Sequence, residues 1–307
     1  MRIGLDLGGT KVEAIALSEG GAELLRFRRP TPMTDYRATV NLVVDMVAEA
    51  EAAAGVAASI GLGTPGTIDP ISGLMKNSNS TALNGRPLDK DLAAALSRDI
   101  SMANDADCFT ISEAHDGGGA GAATVFGVIL GTGVGGGIVV EGRLVSGPNR
   151  IAGEWGHNPL PWMSSDELPG PDCYCGRQGC IETYLSGPGI AADHARRSGA
   201  TLSAAEIATR AAAGEEEASV TMELFHDRLA RALSGVINIV DPEVIVLGGG
   251  VSNIESIYEA VPGIWSRYVF GTTVLTRLAK AVHGDSSGVL GAARLWEASG
   301  AGWSQSS

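Results

Sequence analysis

Short apolar runs bounded by glycine alternate along this chain with segments whose apolar residues return every three or four positions. Ile3 to Leu7 is one such run; Gly8-Gly9-Thr10-Lys11 interrupts it before Val12, Ala14, Ile15, Ala16 and Leu17 resume. The pattern predicts strand, glycine turn, strand. From Tyr36 to Ala54 the residues Val40, Val43, Val44 and Val47 repeat at helical spacing, and Gly55 stops the helix. Ile60 to Gly63 reads as a brief buried strand that runs into the turn Thr64-Pro65-Gly66-Thr67. A polar loop, Lys76 to Gly85, precedes a helix from Leu88 to Arg98 and a short strand from Ile100 to Ala103. That strand gives way at Asn104-Asp105-Ala106-Asp107 to a helix reaching about Ala114.

Gly117 to Gly121 is a glycine-rich break, and it divides a domain of residues 1–117 from one of residues 118–286. Beyond it, Thr124 to Leu130, then Gly131-Thr132-Gly133-Val134-Gly135-Gly136-Gly137, then Ile138 to Val140 repeat the opening design, with Glu141-Gly142 as a hairpin turn. Leu7-Gly8-Gly9-Thr10 and Leu130-Gly131-Thr132-Gly133 are therefore an internal repeat, one domain apart. Helices are expected over residues 203–213 and 218–240. The second carries a core stripe of Met222, Phe225, Leu229, Leu233, Val236 and Val240. Asp241-Pro242 ends it, Val244 to Leu247 is a buried strand, and Gly248-Gly249-Gly250 follows. A last helix over residues 287–298 is expected to pack back on the first domain, and Ala298 to Ser307 reads as a frayed tail. Strands alternating with helices make this an α/β chain.

Charge and composition narrow the partners. At 307 residues the chain can build two cores, and its net charge of -13 would repel a phosphate backbone, which argues against nucleic acid. The longest apolar runs are strand length, far short of the roughly 20 residues that span a bilayer. Met1-Arg2-Ile3 leads straight into a strand, so no signal peptide is expected, and free thiols then point to the cytoplasm.

Three of the four cysteines, Cys173, Cys175 and Cys180, fall within eight residues, and His157 lies sixteen positions before the first. An odd number of thiols cannot pair off as disulfides, whereas three thiolates and one imidazole make a closed zinc site and suit zinc better than copper or an iron–sulfur cluster; the bland alternative is a chance pair of small buried residues. Gly176 and Gly179 let the loop turn back on the metal. The glycine turns have a different chemistry. Gly8 and Gly9 let backbone N–H groups approach an anion, Thr10 adds a hydroxyl and Lys11 a positive charge, so the turn suits a phosphate or is a plain hairpin. The amides and hydroxyls of Lys76 to Gly85 suit a polyol, or form a solvated connection. Gly248-Gly249-Gly250 leaves room for a flat ligand such as adenine, or is a bare turn. Asp105 sits at the carboxyl end of a strand, where α/β sheets bind ligands, and is either a helix cap, as Asp107 could be, or a catalytic base.

Taken in order, these motifs resemble the ROK family of sugar kinases and sugar-responsive repressors across essentially the whole chain. The matching residues are Asp6-Leu7-Gly8-Gly9-Thr10-Lys11, Gly63-Thr64-Pro65-Gly66, Asn104-Asp105-Ala106 and Gly131-Thr132-Gly133-Val134-Gly135. Gly153-Glu154-Trp155-Gly156-His157, the stretch from Cys173 to Glu182, and Val246-Leu247-Gly248-Gly249-Gly250 complete the set. Within the family, Lys76 to Gly85 and Gly153 to Met163 look most like the fructokinase branch, with N-acetylglucosamine kinases as near neighbours.

The resemblance implies an actin-like ATPase fold: two ribonuclease-H-like domains, an interdomain cleft holding ATP and sugar, and a small zinc-binding loop. It implies phosphorylation of a hexose, fructose first, at the 6-hydroxyl, with N-acetylglucosamine kinase or glucokinase as the alternative and a non-catalytic sensor as the rival from another class. With the phosphate turn so close to Met1, no DNA-binding domain is expected ahead of it. Asp105 would be the base. Gly4, Asp6, Gly8, Gly9, Thr10, Lys11, Gly131, Thr132, Gly133, Gly135, Gly248 and Gly249 would face the nucleotide. Gly66, Asn79, Asn104, Asp105, Glu154, His157 and Glu182 would face the sugar. Magnesium is expected with ATP, near Asp6; zinc would be structural, on His157, Cys173, Cys175 and Cys180, with the second ring nitrogen of His157 donating to the sugar. A homodimer is the family expectation.

Overall fold

The computed structural model describes residues 1–298, so most of the predicted tail, residues 299–307, lies outside the described residues. The opening hairpin joins β1 (Arg2–Leu7) to β2 (Lys11–Leu17) with Leu7 opposite Val12, and β3 (Glu23–Pro30) extends it. Helix α1 (Tyr36–Ala54) begins where the Asp35 carboxylate accepts the Ala38 N–H and ends at Gly55 in the left-handed conformation, φ 69°. Strand β4 (Ser59–Thr64), a small ribbon of β5 (Thr67–Ile68) and β6 (Met75–Lys76), helix α2 (Leu88–Leu96), β7 (Ser101–Asn104) and α3 (Asp105–Asp116) follow. The sheet order is β3-β2-β1-β4-β7, with β1, β4 and β7 parallel.

The chain then repeats itself. Strands β8 (Thr124–Leu130), β9 (Val134–Val140) and β10 (Arg143–Leu144) precede helices α4 (Glu182–Leu185), α5 (Gly187–Ser198), α6 (Ala204–Ala212) and α7 (Glu216–Val240). Strand β11 (Val244–Gly248), helix α8 (Ser256–Trp265) and β12 (Arg277–Lys280) come next, then α9 (Ser287–Ala293) and α10 (Leu295–Ala298). This sheet runs β10-β9-β8-β11-β12, with β8, β11 and β12 parallel. Position for position, the two orders are the same.

The chain divides into two compact units. One holds Met1–Asp116, Gly137–Ala152 and the chain from Asp285; the other holds Gly117–Gly136 and Gly153–Gly284. The break at Gly117 therefore coincides with the expected boundary, but residues 137–152 do not belong to a continuous second domain. The reason is close packing inside the first unit: a Cβ on Gly137 would lie 2.5 Å from the Thr110 hydroxyl and 2.9 Å from the Ala106 carbonyl, both on α3.

In the first unit α1 and α2 cover one sheet face, burying Val40, Val43, Met46, Val47, Leu88 and Leu92 against Ile3, Leu5, Leu7 and Val12. Helix α9 covers the other, where Val289 and Ala293 meet Ile15 and Leu17. Two glycines let it lie that close: a Cβ on Gly61 would stand 1.8 Å from the Ala292 carbonyl, and one on Gly4 2.3 Å from that of Val289. Gly4, expected at the nucleotide, is thus enclosed beneath α9 and serves packing. In the second unit the α7 stripe of Met222, Phe225, Leu229 and Leu233 is buried as expected. Its end departs from expectation, because Ile237 takes the core position while Val236 and Val240 are half-buried. No helix among the described residues is long and apolar enough to cross a membrane.

Candidate functional site

In the first unit, three parallel strands end side by side. Asp6 of β1 pairs with Gly63 of β4, and Thr64 with Asn104 of β7, so Asp6, the turn after Thr64 and Asp105 lie together at the carboxyl ends of these strands. The first glycine turn is closed by the Gly8 N–H donating to the Lys11 carbonyl at 3.0 Å, and Thr31 donates its hydroxyl to the Gly8 carbonyl at 2.8 Å. Gly9, Thr10 and Lys11 are left exposed. A Cβ on Gly9 would come within 3.8 Å of the Ser80 hydroxyl, so the polar loop lies beside the turn. That loop folds on itself, the Ser78 N–H donating to the Asn84 amide oxygen and the Asn84 amide donating back to the Ser78 carbonyl, and it presents Asn79 outward. Gly66 sits at φ 79° against β6, where a Cβ would be 2.4 Å from the Lys76 carbonyl, so its first duty is backbone packing.

Helix α3 is capped from the strand before it. Asn104, buried at the end of β7, accepts the Asp107 N–H on its side-chain oxygen at 2.6 Å, so neither aspartate is needed for that bond. Asp105 accepts the adjoining Ala106 N–H at 2.9 Å. Its side chain is reached by solvent, yet the protein packed around it raises its pKa above the ordinary carboxylate value. Asp6 behaves alike. Burial, then the nearby charges of Asp105 and Glu13, push it up to about 6 against the pull of Lys11. Gly288 makes room for this carboxylate, since a Cβ there would lie 2.7 Å from Asp6 Oδ2. Asp105 thus adds to the cost of ionising Asp6, a setting that a divalent cation would relieve.

In the second unit, His157, Cys173, Cys175 and Cys180 bring one ligand atom each within 4.8 Å of one another. The two arms of the loop are antiparallel neighbours, with Pro159 bridged to Cys180, the Leu160 N–H on the Gly179 carbonyl and the Ile181 N–H on the Asn158 carbonyl. Tetrahedral zinc with Zn–S bonds of about 2.3 Å and a Zn–N bond of about 2.0 Å requires S···S near 3.8 Å and S···N near 3.5 Å. Cys175 Sγ to Cys180 Sγ is 3.6 Å and Cys173 Sγ to His157 Nδ1 is 3.6 Å, so these two pairs match that spacing. Burial, then the neighbouring thiols, hold the Cys180 thiol up at about 12, the situation a bound cation reverses.

Nδ1 of His157 faces the thiols, whereas Nε2 meets the Tyr174 hydroxyl at 3.0 Å. The nitrogen expected at the sugar therefore has an exposed tyrosine as its neighbour here, a partner that nothing in the Cys-Tyr-Cys spacing signals. Glu154 and His157 stand at either end of a 3₁₀ turn over Trp155–His157, so they share a face.

The second glycine turn is closed by the Gly131 N–H on the Gly133 carbonyl at 2.9 Å and leaves Thr132 exposed. Glu182, expected at the sugar, accepts the Val134 N–H on Oε2 at 2.8 Å, and Trp155 donates its ring N–H to the Gly135 carbonyl at 3.0 Å. Gly248 is buried inside β11, and Gly249 has φ 82° with its Cβ position 2.4 Å from the Leu130 carbonyl. Close strand packing accounts for Gly249; Gly250 faces open space.

The ROK family model matches residues 2–299. The chain belongs to the ROK family. It is 40% identical over 299 residues to an N-acetyl-D-glucosamine kinase of Yersinia pseudotuberculosis, covering 96% of this chain and 98% of the relative. Among solved structures it is similar to a ROK hexokinase of Thermus thermophilus, at TM-score 0.85 and 32% identity over 96% of this chain and 97% of that one. It is also similar to a ROK family glucokinase of Streptomyces griseus in complex with glucose and AMPPNP, at TM-score 0.74 and 26% identity over 96% and 98%. The fold is thus the actin-like ATPase fold of ROK sugar kinases, and the repeated sheet order is its duplicated half. The expectation of fructose does not receive that support. The relative named for its sugar at 40% identity is an N-acetyl-D-glucosamine kinase, which favours the alternative.

Proposed function

We propose that this ROK protein is an ATP-dependent hexose kinase that phosphorylates the 6-hydroxyl of N-acetyl-D-glucosamine, with Asp105 as general base. The carrying observation is the division of labour at the start of α3, where Asn104 caps the helix and Asp105 is left with a raised pKa beside Asp6. A base of raised pKa takes a hydroxyl proton more readily than an ordinary carboxylate, and phosphoryl transfer asks the protein chiefly to place the nucleophile and balance phosphate charge. Asp105 would receive the proton as the sugar oxygen attacks the γ-phosphorus. Asp6 would hold the magnesium that accompanies ATP, which supplies charge neutralisation at the phosphates. The exposed donors of Gly9, Thr10 and Lys11 and of the turn at Thr132 would bind those phosphates, while Asn79, Glu154 and His157 would orient hydroxyls. Zinc on His157, Cys173, Cys175 and Cys180 would brace the loop without touching the transferred group.

A coupled ADP-release assay over N-acetylglucosamine, glucose, mannose and fructose tests the reading. N-acetylglucosamine should give the highest kcat/KM; a higher value for fructose would restore the fructokinase reading, and no ADP release with any hexose would end the kinase reading. Asp105→Asn should lower kcat by about 10²–10⁴ with sugar binding largely kept. A variant within about threefold of wild type removes Asp105 from the role.

A further inference from the structure

The two arms of the cysteine–histidine loop leave it toward the same peptide. On one side, Gly156 directly precedes the ligand His157, and a Cβ there would lie 2.1 Å from the Val134 carbonyl oxygen. On the other, Glu182 follows Cys180 by two residues and takes the Val134 N–H at 2.8 Å. A Cβ on Gly133 would lie 2.7 Å from that same Oε2, so the carboxylate is pressed against the turn itself. Trp155 adds a third hold: its ring N–H reaches the Gly135 carbonyl, and its ring meets Phe126 of β8 edge-on at 5.6 Å. The Gly187 N–H donates to the Gly131 carbonyl at 2.8 Å from just beyond α4. Val134 is thereby gripped on its N–H and packed on its C=O by residues one and two positions from metal ligands. A turn in which five of the seven residues 131–137 are glycine has few side chains to fix its own backbone, so much of its order must come from such neighbours.

We propose that Glu182 is a positioning residue that couples the cysteine–histidine loop to the second glycine turn, so that filling the loop with zinc orders the turn's backbone donors. This rests on the proposed role of that turn at the nucleotide phosphates. It assigns the metal an effect on the nucleotide side as well as on the sugar side. The carboxyl oxygen, not the charge, is what the Val134 N–H needs, so glutamine can replace glutamate in this duty and alanine cannot.

The test uses the full chain, AMP-PNP as probe and three preparations beside zinc-loaded wild type: Glu182→Ala, Glu182→Gln and wild type stripped by a chelator. Glu182→Ala should keep one zinc per chain, weaken AMP-PNP binding about tenfold, the weight of one or two misdirected backbone donors, and speed amide exchange over residues 131–136. Glu182→Gln should stay within about twofold of wild type in both readouts, and stripped wild type should show the same faster exchange over residues 131–136. Unchanged exchange in Glu182→Ala, or equal loss in the alanine and glutamine variants, overturns the coupling. If zinc-loaded wild type binds no AMP-PNP, the kinase reading fails, and the exchange measurement alone decides whether the brace exists.

Discussion

Asp6 is a carboxylate whose position costs the fold stability. Burial, Asp105 and Glu13 raise its pKa from 3.8 to about 6. The folded chain therefore binds this proton more tightly than the unfolded chain, and stability falls as pH rises from about 4 through about 6. Above that window the cost is complete, up to about 3 kcal/mol for a shift of roughly two units. Asp6→Asn should then melt higher than wild type at pH 8 without nucleotide, and the difference should vanish near pH 4; equal melting temperatures at both pH values would remove the argument. At this scale the candidate metal-binding cluster was legible because His157, Cys173, Cys175 and Cys180, which the fold gathers within 4.8 Å, carry chemistry that few other purposes need. The role of Asn104 was not, because a cap is decided by which side chain reaches the Asp107 N–H, and Asn104, Asp105 and Asp107 all have the right atoms. Glu182 was placed at the sugar by resemblance, while its bond to Val134 is tertiary and leaves no trace in spacing.

Helices and strands with one dominant period could be read directly: α1 and β8 have the expected bounds, and α7 starts two residues before its prediction. Strand β3 escaped notice because its exposed and half-buried residues, ELLRFRRP, follow no alternation, and two of its arginines instead pair with the buried Glu13. Helix α8 carries Pro262 and Gly263 inside it, and β12 is the short, polar edge strand RLAK; both mask the usual signals. The predicted last helix is divided at Arg294 into α9 and α10. What fixes α9 is the absence of side chains beneath it. Gly61→Ala would drive a methyl with no freedom to rotate away into the Ala292 backbone carbonyl at 1.8 Å, so relief requires moving a helix. The loss should reach or exceed the top of the ~1–3 kcal/mol range of overpacked cores. Gly199→Ala, at φ 76° with open space around it, should cost only about 1 kcal/mol. Urea unfolding compares the two, and similar losses would show that α9 can shift without penalty.

Across the whole molecule one topology is used twice, and the sequence shows this through its two glycine hairpins. The boundary near Gly117 was visible as a local glycine break, whereas the return of residues 137–152 to the first unit depends on Gly137 fitting against α3, a fact of packing. The second copy differs by its long loop, which is held in two independent ways. Its ends meet at the cysteines and His157. Its middle is pinned by Glu167, which accepts from Arg228 and Arg231 of α7 at 2.8 Å, while Arg228 also donates to Asp193 of α5. These four side chains are only 5–7% exposed. Burial alone would raise the Glu167 pKa, but hydrogen bonds from Arg231 and Arg228 pull it down to about 2. Its contribution is therefore present above about pH 4.5 and is lost as the pH falls toward 2. Glu167→Ala would leave two buried guanidiniums short of a partner, a loss of about 3–5 kcal/mol by analogy with broken buried pairs. Because the pin and the metal act at different points of the loop, the variant should still bind one zinc, and its loss should add to that of Cys175→Ser within about 0.5 kcal/mol in a double-mutant cycle. Strong non-additivity, or loss of zinc from Glu167→Ala alone, would mean instead that the loop is a single cooperative element whose middle builds the metal site.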